Sequence, residues 1–76
     1  MRTREQYRKH KRERIAVQYK LAIQQQQISA RFYKMARDYY ERKDFYNAKL
    51  YQLEGQLRHD YAKMHIVRAN WDANNY

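Results

Sequence analysis

Apolar residues recur every three or four positions along most of this 76-residue chain, the spacing of side chains that share one face of a helix. Ile28, Phe32, Met35 and Tyr39 form one such stripe, and Val17, Leu21 and Gln25 carry it upstream with a single polar layer. After a phase break at Glu41-Arg42-Lys43-Asp44 the stepping resumes. Tyr46, Leu50, Leu53, Leu57, Tyr61, Met64, Val67 and Trp71 keep it for about seven turns. The two stripes predict an all-α fold, an antiparallel helical hairpin with a long first helix. Helix 1 is expected over about 15–41, a turn at about 42–44 and helix 2 over about 45–70, with the bulky stripes as core.

Local signals fill in the elements. Asp44 is suited to cap helix 2, where a carboxylate also favours the helix dipole. The run Gln24 to Gln27 is compatible with helix, so helix 1 is carried through it, with a joint near Gln26 to Ser29 as the alternative. Gly55 lies in mid-helix at about 1 kcal/mol relative to Ala. It marks either the close approach of another backbone or a tolerated surface glycine. Residues 72–76 read as a polar, frayed tail.

Residues 1–14 break the pattern, because no face of them can be buried: they read as a basic arm, helical or disordered. A helix 2 of about 26 residues is roughly 39 Å long. Folded back from the turn, it reaches only to about residue 15, so the arm is expected to project beyond the hairpin.

Composition sharpens this picture. The chain has no Cys, no Pro and one Gly, which favours long helices and leaves neither disulfides nor thiolate metal sites. The net charge is +9, and residues 1–14 supply +5 of it from seven basic and two acidic side chains. A concentrated basic end points to a polyanionic partner. No apolar run has the length of a signal or membrane segment, so a cytoplasmic or nuclear protein is expected.

Residues 32–69 resemble the small helical domain of unknown function found just before Smr-type (MutS-related) nuclease domains. Ala36, Tyr40, the turn at Arg42-Lys43, Ala48 with Lys49, Gly55 and Ala69 match that pattern without gaps. The turn lacks the family's Gly, Arg58 stands in place of its His, and Ala62 in place of its Met. Ala36, Tyr39, Phe45 and Ala48 are also similar to a single tetratricopeptide hairpin. The first resemblance implies a helical module that flanks a nucleic-acid enzyme and docks it on RNA or ribosomes. No nuclease domain lies within these residues, so its catalytic chemistry is not carried over.

Catalysis and cofactors find little support in the residues themselves. Ser29 is the only serine, and no Gly-rich phosphate loop is present. His59 and His65 are six apart, on different helix faces, so neither a metal nor another cofactor is expected. The candidate nucleic-acid contacts are Arg2, Arg4, Arg8, Lys9, Lys11, Arg12 and Arg14 in the arm, with Arg31 and Lys34 beside aromatic residues. A second stripe of Tyr33, Ala36, Tyr40, Ala48, Tyr51, Ala62, Ile66 and Ala69 makes both helices apolar over a wide arc. Tyr33, Tyr40, Tyr51 and Ile66 are therefore candidates to meet a protein partner or a second copy. RNA or another polyanion is the expected ligand, with no membrane and no small-molecule substrate. The alternative is an interaction or oligomerisation scaffold whose basic arm only aids solubility.

Overall fold

A computed structural model describes residues 3–74 as two helices, α1 (Arg4–Glu41) and α2 (Phe45–Asn74), folded into a rod of 61 × 15 × 14 Å. The expected hairpin is present, with longer helices. α1 begins eleven residues before the first apolar position because Thr3 starts it with a capping box. Its hydroxyl accepts from the Gln6 amide at 3.2 Å, and its own amide donates to Gln6 Oε1 at 3.0 Å. Good helix formers, with no Gly or Pro, then carry it unbroken through Gln24–Gln27.

The turn is closed by two backbone bonds. The Asp44 amide donates to the Tyr39 carbonyl at 2.9 Å, and that of Lys43 to the Tyr40 carbonyl at 3.0 Å, the Schellman arrangement. That arrangement needs a left-handed residue, and with no glycine here Lys43 supplies it at φ 62°. Asp44 then caps α2, its side chain accepting from the Asn47 amide at 3.2 Å. A lysine in the left-handed region is strained by about 1 kcal/mol. Lys43→Gly is therefore expected to raise the melting temperature by about 4–8 °C. A thermal melt with no increase would show that Lys43 does not hold this conformation in solution.

The seam between the helices differs from the one the bulky stripes predict. On α1 the positions turned inward are Ile15, Gln18, Ala22, Gln25, Ser29, Phe32, Ala36 and Tyr39, alternating steps of three and four. On α2 they are Ala48, Tyr51, Gly55, Arg58, Ala62, His65, Ala69 and Asp72, with the same alternation. Each helix thus sets small residues seven apart: Ala22, Ser29 and Ala36 against Ala48, Gly55, Ala62 and Ala69. Together with Asp72 these are the buried positions among the described residues, and Ala62 and Ala69 are 0% exposed. Small side chains let the backbones come close. The Ser29 hydroxyl donates directly to the Gly55 carbonyl at 2.7 Å, and the Tyr33 ring lies where a Gly55 Cβ would meet it at 3.1 Å. Gly55 is buried and so is not a surface glycine, and what comes close to it is the Tyr33 ring and the Ser29 hydroxyl rather than a backbone.

The larger seam residues grade along the rod. Near the turn, Tyr51 stacks on Tyr39 (ring centroids 5.3 Å, 4° between planes) and on Phe32 (6.0 Å, 25°). Away from it the contacts turn polar. Arg58 donates to Gln25 Oε1 at 3.4 Å, and His65 Nδ1 lies 2.8 Å from Gln18 Oε1. Arg14 pairs with Asp72 at 3.7 Å, and Lys11 donates to the Ala73 carbonyl at 3.5 Å. The predicted polar tail is therefore the last turn of α2 up to Asn74, with Asp72 buried, because Arg14 and Lys11 hold it against α1. Only about the first two turns of α1 project past α2, less than the expected arm.

The bulky stripe of α2 lies on the opposite side. Tyr46, Leu50, Leu53, Leu57, Tyr61, Met64, Val67 and Trp71 are 41–75% exposed. On α1, Gln25, Phe32 and Tyr39 of the predicted stripe enter the seam. Leu21 and Ile28 flank it half-buried, and Val17 and Met35 are exposed.

Candidate nucleic-acid interface

With α2 on one side, the opposite side of α1 is free for polar residues, and its charges are unevenly distributed. From Arg14 to Arg37 the chain carries no acidic residue, and Lys20, Arg31, Lys34 and Arg37 are all exposed. Arg4, Arg8, Lys9 and Arg12 continue this set as exposed side chains of the same helix. A capped helix holds them at 1.5 Å rise per residue rather than on a loose tail. The partial positive charge at the helix N-terminus adds to theirs.

Two of the predicted contacts have structural partners. Lys11 is half-buried on the α2 end, and Arg14 is committed to Asp72. Both brace the polar end of the seam, a role that the charge run alone does not reveal. Arg2 lies outside the described residues. Arg31 and Lys34 lie more than twenty positions from Arg8, so the cations are spread along α1 and not clustered. Lys20, Arg31, Lys34 and Arg37 turn away from the seam, whereas Arg4 and Arg8 continue the seam register past the end of α2.

The aromatic candidates divide. Tyr40 is 64% exposed and meets Phe45 edge-on at 5.3 Å across the turn. Tyr33 is 37% exposed and covers Gly55. Ile66 is half-buried beside the seam. Tyr51 is placed between Phe32 and Tyr39, so the outward, partner-facing position expected for it is corrected to an internal one.

Among the described residues, no group of three or more His, Asp and Glu side chains is arranged to hold a metal ion. His65 is engaged with Gln18, while His10 and His59 are exposed. No helix of the described residues is long and apolar enough to cross a membrane. Compared with protein-family models, curated proteins and solved structures, the chain matches none.

The rod is thus two-faced. α1 turns a cationic line outward, and α2 turns an apolar stripe outward. The seam of small residues between them keeps both faces on rigid helices.

Proposed function

We propose that this chain is a non-enzymatic, basic helical module that binds RNA, free or within an RNA–protein particle, in the cytoplasm or nucleus. The observation that carries the reading is the acid-free cationic line along α1, continued by a capped helical arm. Such a line neutralises successive phosphates and releases their counterions, the term that dominates sequence-independent binding. It positions the polymer without reading bases. Exposed Tyr7 and Tyr40 lie near the two ends of the line, where unpaired bases can stack on rings beside cations. The resemblance of residues 32–69 to domains that precede Smr-type nucleases supports the same partner class, and with it a docking role for an associated enzyme.

The test uses a labelled single-stranded RNA, with anisotropy read across a salt series. Arg8→Glu with Arg12→Glu is the informative double variant, because Lys11 and Arg14 also hold α2 and would confuse binding with folding. The variant is expected to keep its helicity and lose more than tenfold in affinity at low salt. Its log–log salt slope is expected to shrink by about 0.7 for each phosphate contact removed. Equal affinity of the two proteins at low salt would remove the arm from the binding site.

A further inference from the structure

We infer that the outer face of α2 is a self-association surface, on which two copies of this chain pack α2 against α2 in antiparallel orientation. The first reason is what the hairpin leaves uncovered. Its own seam buries alanines, one serine and one glycine, while the bulkiest apolar side chains of α2 stay outside. From their exposed fractions, the eight residues of the outer stripe present on the order of 800 Å², the per-partner area of a standard stable interface. An exposed apolar face of that size on so small a chain marks an interaction site.

The second reason is that the stripe fits itself. Seven of the eight stripe residues, Tyr46, Leu50, Leu53, Leu57, Met64, Val67 and Trp71, together with Asp60, step by four and three, the spacing of a coiled-coil seam, and Tyr61 lies at its flank. Set antiparallel about a two-fold axis between Leu57 and Asp60, the stripe pairs Leu50 with Val67 of the second copy, and Leu53 with Met64. Tyr46 and Trp71 close the ends. The largest side chains therefore meet at the two ends of the interface, and medium ones fill the middle. A two-fold contact of this kind is isologous and closes at two chains.

Charge selects the direction. In the antiparallel register, Lys49 flanks Asn70 of the second copy, Lys63 flanks Gln56, Arg68 flanks Asn47 and Glu54 flanks Tyr61, so no like charges flank the seam, and the two Asp60 side chains fall in adjacent layers rather than in the same one. A parallel pair would set Asp60 against Asp60 in one layer and Lys63 against Arg68, which its Lys49–Glu54 pair only offsets. It would also bring both basic arms to one end, whereas the antiparallel pair separates them along a rod whose length is 61 Å. Asp60 is the single acidic position of the stripe, at its centre, where it limits affinity.

Sedimentation equilibrium of the full chain tests this from sub-micromolar to millimolar concentration. The expected result is a monomer–dimer equilibrium ending at twice the 9.6 kDa chain mass. Leu53→Glu is expected to remain monomeric with its helical circular dichroism intact. Asp60→Leu is expected to tighten the dimer at least tenfold, and this second variant decides the matter if Leu53→Glu does not fold. Direction is read by oxidising an equimolar mixture of Leu53→Cys and Met64→Cys chains, which the absence of native cysteine makes unambiguous. The mixed disulfide is expected to dominate. A wild-type chain that stays monomeric throughout would overturn the inference and leave the face to a different protein. So would a tetramer, an Asp60→Leu chain no tighter than wild type, or a dominant Leu53→Cys self-disulfide.

Discussion

Ala62→Leu is expected to destabilise the hairpin by about 3 kcal/mol, enough to leave a small two-helix unit largely unfolded. Ala62 is 0% exposed, and the Arg58–Gln25 and His65–Gln18 contacts on either side set it opposite Ala22. A leucine there adds three carbons to a seam built from small side chains. It is held between neighbours one turn away on each side, so relief requires the helices to part along several turns. Parting them stretches the Ser29–Gly55 hydrogen bond at 2.7 Å and uncovers the alanine layers. Urea unfolding followed by circular dichroism measures the effect. A midpoint unchanged from wild type would mean that α2 turns a different face to α1, and the bulky stripe would be the first candidate.

The same seam predicts a contrast that size alone would miss. At Gly55, the atoms nearest an added Cβ belong to the ring of Tyr33, at 3.1 Å, and that residue is more than one-third exposed, with room to swing outward. Helix propensity favours alanine there by about 1 kcal/mol. The two effects oppose each other, so tolerance at Gly55 and intolerance at Ala62 belong to one geometry. The difference lies in whether the neighbour can yield.

The hairpin, its turn and the Asp44 cap were legible in the sequence because each rests on a local signal: a phase break, a capping residue, a run without helix breakers. The choice of face was not local. α2 carries two patterns of equal period, one through Leu50, Leu53 and Leu57 and one through Ala48, Gly55, Ala62 and Ala69. Periodicity says that a face exists, and side-chain bulk suggests the leucine face. What decides for the small residues is a relation between helices. Ala22, Ser29 and Ala36 recur at the same seven-residue interval on α1, so the backbones can approach without a gap. The reach of the arm is non-local for a related reason. Lys11 and Arg14 read as free charge until α2 is extended to Asn74, which brings Asp72 and the Ala73 carbonyl to them. Of the exposed cations on α1, Arg31 and Lys34 stand out in the sequence by their aromatic neighbours, whereas Lys20 and Arg37 emerge only once α2 fixes which side of α1 faces outward.

Tyr51→Ala is expected to cost about 2–3 kcal/mol, less than a fully buried aromatic because Tyr51 is only half-buried. The loss has two parts. Truncation exposes the facing surfaces of Phe32 and Tyr39, and it removes two ring–ring contacts, each worth about 0.5–1.5 kcal/mol beyond area. No other seam residue of the turn-proximal half joins two aromatic neighbours on the facing helix, so the layer has nothing to replace it. Arg42 lies over Tyr39 at 5.5 Å, and its hold on the turn weakens as that ring loses its support. Tyr51→Phe is expected to be within about 0.5 kcal/mol of wild type, because it retains the stacked ring. The pair separates packing from docking. An outward tyrosine that served only a partner would leave the isolated chain's unfolding midpoint unchanged on truncation to alanine. A seam tyrosine lowers the midpoint whether or not a partner is present. Measuring both variants at a concentration low enough to hold the chain monomeric keeps the result independent of self-association.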